Sequence, residues 1–243
     1  MHEFQSFVYL APQKTGTTFI STMLDQFCKE EQVRHRSHVP MGADYDRGKF
    51  YFISVRDPLD AYLSLYSYGS GAQGRVRNKF EDEGLGELYD GTLSGFNEWL
   101  TYVLKKRKAA ALDRGYAKQG DGALAGLIGL QSYRYLRVAL PAPDRTLAAC
   151  KTEDDIRQVY REKKLPTYFV RYERFTADLV ALLRGPLSHA ISDVEAAVNF
   201  VETAPRINAS ERVDAFHDEI KLGKKLKRKL AEREWFLHEE FGY

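Results

Sequence analysis

Cysteine is scarce: Cys28 and Cys150 are the only two in 243 residues. Two cysteines provide no disulfide framework, so a reducing compartment is the expected setting. Excess charge of one sign is lacking too. Lys and Arg number 36 against 34 Asp and Glu, a balance of +2 that gives no reason to expect nucleic-acid binding. No apolar run reaches the length that crosses a bilayer, and "MHEFQSF" has no signal-peptide core. A cytoplasmic protein without a membrane span is therefore expected. Internal repeats and long linkers are absent as well, and residues 1–243 are expected to form a single domain. The phosphate loop of nucleoside triphosphatases, Gly-x-x-x-x-Gly-Lys-Ser/Thr, is also missing.

What is present alternates. Phe4–Ala11, Val33–Ser37, Lys49–Val55 and Pro166–Tyr172 read as strands, the first and third almost continuously apolar. Phe19, Ile20, Met23, Leu24, Phe27 and Cys28 recur at helical spacing after the first strand. After the third, Asp57 is placed to cap a helix, with Pro58 at its first position and Asp60 in its first turn. Strands separated by helices predict an α/β fold, a central parallel sheet flanked by helices in three layers. Near the C-terminus Leu222, Leu226 and Leu230 form a narrow stripe among lysines. That pattern suits a solvated helix docked on the domain better than a membrane-surface helix.

"PQKTGTTF" (Pro12–Phe19) lies where the first strand turns into its helix. A helix amino terminus presents N–H groups that the helix cannot bond, together with a positive partial charge. Gly16 lets the backbone approach closely, Thr15, Thr17 and Thr18 bring hydroxyls, and Lys14 brings a full charge. The lysine stands before the glycine, so this is an anion loop of another kind. "VRDPLDAYLSLY" also leaves an apolar strand, with Arg56 at its end and Ser64 eight residues later. Arginine offers a planar fork to phosphate oxygens. Two such turns suit a ligand with two separated phosphate-like groups.

These stretches resemble the sulfotransferases that use 3′-phosphoadenosine 5′-phosphosulfate, PAPS. "PQKTGTTF" is similar to that family's 5′-phosphosulfate loop, and "VRDPLDAYLSLY" to its 3′-phosphate motif with the same arginine-to-serine interval. "RSHVP" (Arg36–Pro40) resembles the stretch that carries the catalytic histidine of the cytosolic branch, and "FVRYERF" (Phe169–Phe175) a later strand. The likeness covers residues 4–68 and 166–176. It implies a P-loop NTPase-like architecture and transfer of a sulfuryl group from PAPS to a hydroxyl or amine, leaving the 3′,5′-bisphosphate PAP, without a metal. By the resemblance, Lys14 and His38 are the catalytic residues. Lys14, Thr15, Gly16, Thr17, Thr18, Phe19, Arg56, Ser64 and Tyr172 bind the nucleotide, with Phe19 stacking on adenine and Tyr172 lining its pocket.

Other branches of the family use a carboxylate as base, which brings Glu30, Glu31 and Asp44 into consideration. A metal site at His35 and His38 has no third ligand nearby in sequence. The rival readings are a nucleotide-dependent kinase and a non-catalytic nucleotide-binding module. The acceptor, a small molecule or a carbohydrate, is expected beneath residues Gly69–Leu140. That glycine-rich segment is read as a mobile lid whose Tyr89, Phe96, Trp99 and Tyr102 supply an apolar or sugar-stacking wall, with Phe96, Trp99 and Tyr102 equally readable as core contacts of their helix.

Overall fold

A computed structural model describes residues 1–36, 38–71, 74–108, 112–117, 123–205 and 222–243. Ser37, inside the expected second strand, lies outside the described residues. The chain forms two compact units that interleave in sequence. The first comprises Met1–Arg56, Tyr135–Pro143 and Lys163–Asn208; the second comprises Asp57–Arg134, Asp144–Glu162 and Ala209–Tyr243.

The first unit is built on a five-stranded sheet of order β3-β1-β2-β4-β5. Its strands are β1 (His2–Phe4), β2 (Phe7–Leu10), β3 (Gln32–His35), β4 (Phe50–Val55) and β5 (Tyr168–Arg171). The α/β class expected from the alternation is observed, but the sheet is mixed rather than parallel. The segment expected as one strand, Phe4–Ala11, is folded into a hairpin: His2 pairs with Tyr9 and Glu3 with Val8, so the chain reverses at Gln5 and Ser6. The reversal is anchored from outside the hairpin, because the Glu30 carboxylate accepts the Ser6 N–H at 2.8 Å and the Ser6 hydroxyl at 2.5 Å. β1 therefore runs antiparallel between β2 and β3. β2, β4 and β5 are parallel in register, with Leu10 opposite Ile53 and Val55 opposite Arg171. Two successive antiparallel pairings leave β3 running in the same direction as β2. Four strands thus end on one side of the sheet.

α1 (Thr17–Phe27) follows β2 and buries Ile20, Met23 and Leu24, the stripe that its spacing predicts. α7 (Phe175–Arg184) follows β5, and α8 (Val194–Thr203) packs with it and with α1. These helices share one core with Phe7, Tyr9, Phe52 and Val170 of the sheet. Val8, Leu10, Ile53 and Val55 alternate with that set and are buried as well, so the strands are apolar on both faces. Each such aliphatic side chain contributes about 1.5–3 kcal/mol by leaving water.

In the second unit, α2 (Pro58–Ser70) starts as its sequence predicts: the Asp57 carboxylate accepts the Asp60 N–H at 3.0 Å, and Pro58 opens the first turn. α3 (Arg75–Asp82) and α4 (Leu93–Val103) then fold against it, where a mobile lid was expected. Tyr62, Tyr66, Phe80, Phe96 and Trp99 are almost wholly buried, and Tyr89 and Tyr102 nearly so. Some of their rings meet tilted, as in Tyr66 with Trp99 at 5.5 Å and Phe80 with Tyr102 at 4.9 Å, and others stack, as in Tyr66 with Tyr89 at 5.4 Å. The expected acceptor wall of Tyr89, Phe96, Trp99 and Tyr102 is therefore the core of this unit. The glycines of the segment follow suit. A Cβ at Gly69 would run into the Tyr89 ring, and one at Gly95 into Asp90 and the Tyr66 hydroxyl. At Gly69 and Gly95 the missing side chain serves close packing.

The second unit also holds the short α5 (Ala123–Leu127) and the first half of α6 (Leu130–Ala139), together with α9 (Lys224–Arg233) and α10 (Trp235–Phe241). Leu230 is buried and Leu226 half-buried, the docked stripe expected of the C-terminal helix. Arg233 donates to the Ala125 carbonyl at 2.6 Å and the Trp235 indole to that of Leu127 at 2.9 Å, closing the carboxyl end of α5.

Candidate functional site

The carboxyl ends of β2, β4 and β5 lead directly into Ala11, Arg56 and Tyr172, and β3 leads toward His38 two residues beyond Arg36. Ligands of open α/β sheets bind at such an end. The first unit brings Lys14, Thr15, Gly16, Thr17, Thr18, Phe19, His38, Arg56 and Tyr172 to it.

The loop from Ala11 to Gly16 is held by its carbonyls. The buried Thr15 hydroxyl donates to the Pro12 carbonyl at 3.0 Å and the Thr17 hydroxyl to the same oxygen at 2.7 Å. His38 Nδ1 lies 2.9 Å from the Ala11 carbonyl, and Arg56 Nη1 donates to the Lys14 carbonyl at 3.4 Å. Below the loop, Ser54 Oγ lies 2.7 Å from Thr15 Oγ1 and 2.7 Å from the Tyr9 hydroxyl, whose pKa burial pushes up to about 12. Carbonyls occupied in this way turn the oxygens of the loop away from any anion. The hydroxyl protons of Thr15 and Thr17 are likewise directed inward, so these residues offer a ligand backbone N–H rather than the side-chain donors expected from sequence.

Two backbone conformations mark the same place. Lys14 has φ 67° and His38 φ 59°, two of the three non-glycine residues with positive φ among those described. Strain of this kind, of order 1–3 kcal/mol per residue, persists only where the surroundings impose it and concentrates at functional sites. Gly16 has φ 83°, and alternating hand along a loop curls successive N–H groups into an anion-binding concavity. The amino terminus of α1 carries neither a side-chain cap nor an acidic residue in its first turn. α2 is the contrast, closed by Asp57 with Asp60 beside it.

Phe175 occupies the space beside Gly16. A Cβ on Gly16 would lie 2.6 Å from Phe175 Cε2 and 2.8 Å from Cζ. The ring meets Phe19 edge-on at 5.4 Å and lies 5.6 Å from Tyr172. Phe19 also leans on Phe200 at 5.3 Å. The Arg56 guanidinium stacks on Tyr172 at 3.9 Å, which fixes the plane of its fork. The Asp178 carboxylate accepts the N–H of Arg171, the residue before Tyr172, at 2.9 Å. The result is an aromatic wall beside an N–H-lined loop.

Compared with family models, with curated proteins and with solved structures, the chain matches none. Its site is therefore read from its own geometry.

The His38 contact has a chemical consequence. A carbonyl can only accept, so Nδ1 carries a proton, and in the neutral ring Nε2 is then the basic nitrogen. The alternative bases fare differently. Glu30 is bonded to Ser6 at the amino end of β2, and Glu31 immediately precedes β3, which places both at the opposite end of the sheet from Lys14. Asp44 is exposed in the segment before β4. Ser64 belongs to the second unit, half-buried two turns into α2, and is not among the residues that the first unit gathers. Sequence reasoning missed Phe175, Ser54 and Tyr9. Phe175 closes the quoted "FVRYERF", but spacing alone does not place its ring over Gly16.

Proposed function

We propose that the chain is a sulfotransferase of P-loop NTPase-like architecture that moves a sulfuryl group from PAPS to a hydroxyl or amine of a small-molecule or carbohydrate acceptor. One observation carries this reading. The carbonyls of Ala11, Pro12 and Lys14 are each held by a side-chain donor, beside an uncapped helix terminus and within the residue set of Arg56 and His38. Such a loop suits an oxyanion, and the motif resemblance specifies which.

In this reading the N–H groups at the start of α1 hold the 5′-phosphate, and the Lys14 ammonium meets the charge that grows on the bridging oxygen as the S–O bond breaks. Arg56, its plane set by Tyr172, takes the 3′-phosphate. The aromatic wall of Phe19, Phe175 and Tyr172 receives the adenine. His38 accepts the acceptor's proton at Nε2 while Nδ1 remains anchored on Ala11, so the imidazolium that forms is stabilised by a bond already present. PAP leaves as the product. A kinase reading needs a carboxylate for Mg²⁺ near the third strand, and Asp57, the residue in that place, caps α2.

Two measurements test the proposal. PAP should bind in preference to ATP, with or without Mg²⁺, and labelled PAPS should transfer its sulfuryl group to at least one acceptor in a panel of phenols, steroids, sugars and peptides. Tighter binding of ATP that depends on Mg²⁺ would reverse the assignment in favour of a kinase.

A further inference from the structure

In the second unit a buried cation lacks an acceptor. Arg134 lies on α6, half-buried as a residue, and its Nε and Nη1 are shielded from solvent with no hydrogen-bond partner among the described residues. Gln131, one turn earlier on the same helix and thus on the same face, is only 5% exposed, and its Nε2 is likewise shielded and unpartnered. The nearby carboxylates are occupied. Glu234 accepts the Gln131 N–H at 3.2 Å, the Ser132 N–H at 2.8 Å and the Ser132 hydroxyl at 2.7 Å, as well as the Tyr62 hydroxyl. Asp113 accepts the Gly115 N–H at 2.8 Å.

A guanidinium keeps its proton in a folded protein, so burial does not neutralise it as it would a lysine or histidine. Burial does pull the pKa of Arg134 below the usual arginine range, with Asp113, Tyr62, Glu234 and Tyr89 partly offsetting the effect. Asp113 and Glu234 supply countercharge, but no oxygen of theirs is a hydrogen-bond partner of Nε or Nη1. The unpaired atoms are all donors, which suits a ligand made of acceptors.

We propose that Arg134 and Gln131 form an oxyanion-binding site within the second unit, one that takes a carboxylate or sulfate group and is separate from the loop at Lys14. This site does not depend on the sulfotransferase reading, because neither residue belongs to the nucleotide loop.

The test is equilibrium dialysis of the full chain against labelled inorganic sulfate, and separately acetate, at fixed ionic strength. The measurement is repeated with PAP in excess, so that sulfate on the nucleotide loop can be told apart. One sulfate or acetate per chain should persist under PAP. Arg134→Met should weaken it at least about tenfold and Gln131→Leu about threefold or more, with Lys14→Asn leaving it unchanged. Gln131→Leu is close in shape and alters no charge, so it decides the matter if Arg134→Met fails to fold. Persistence of sulfate rather than acetate would identify a tetrahedral oxyanion as the ligand, and the reverse a carboxylate. No retained anion, or retained binding lost in Lys14→Asn but unaffected in both second-unit variants, overturns the proposal. Failure of PAP to bind while sulfate remains sensitive to Arg134 would count against the sulfotransferase alone.

Discussion

Gly16→Ala is the sharpest perturbation that the structure allows. Two penalties add at this position. An L-residue held at φ 83° costs about 1–2 kcal/mol. The added Cβ also meets Phe175 Cε2 at 2.6 Å and Cζ at 2.8 Å, closer than carbon atoms approach. Phe175 is hemmed in by Phe19 at 5.4 Å and Tyr172 at 5.6 Å, so it yields only by moving the wall, at about 1–3 kcal/mol for overpacking. Together the expected loss is about 2–5 kcal/mol, read by urea denaturation of the variant against the parent. Gly16→Ala with Phe175→Leu separates the terms: relief of the clash returns roughly half of the loss while the φ penalty remains. The same double variant should bind PAP weakly, because the curvature of the loop depends on Gly16. A single variant within about 0.5 kcal/mol of the parent would refute the account of how this loop is shaped.

Arg56→Ala should weaken PAP by about 2–4 kcal/mol while affecting adenosine 5′-phosphate much less, measured by calorimetry; equal losses would show that Arg56 does not read the 3′ end. His38→Asn keeps a residue that tolerates the left-handed backbone, so PAP affinity should survive while transfer to a hydroxyl is lost; near-normal turnover at neutral pH would remove His38 as the base. Lys14→Asn should reduce turnover more than product affinity, by a charge-stabilisation factor of about 10²–10³. His2 is held at a pKa of about 4 by burial, with His35 stacked on it at 4.2 Å. The unfolded chain therefore binds the extra proton first as pH falls. Stability should be full above about pH 6.5 and decline by about 3 kcal/mol toward pH 4, a slope that His2→Gln removes in denaturation measurements made across that range.

Much of the scaffold was legible in local pattern, because local pattern is what builds it. Asp57, Pro58 and Asp60 specify a helix start by bonds between near neighbours, and the start is found where they predict it. Ile20, Met23 and Leu24 declare a buried stripe through their spacing alone. The turn from β2 into α1 was legible for the same reason. The hairpin was not: "FQSF" contains no glycine, proline or asparagine, and the chain reverses there because Glu30, distant in sequence, receives Ser6.

Burial divided the aromatics of Gly69–Leu140 in the same way. Sequence composition shows Tyr89, Phe96, Trp99 and Tyr102 but not whether they face a ligand or one another, and only their packing shows that they form a core. Of the glycines that suggested a lid, Gly69 admits the Tyr89 ring and Gly95 the Tyr66 hydroxyl. At the candidate site, the sequence named Lys14, Gly16, Arg56 and His38 through short motifs. Tertiary structure decided that Thr15 and Thr17 point inward, that Phe175 stands over Gly16, and that Ala11 holds His38 by Nδ1. Phe175 over Gly16 and His38 on Ala11 depend on residues far apart in the chain, and Thr15, which reaches Pro12 locally, is tied as well to the distant Ser54. No local propensity encodes those distant contacts.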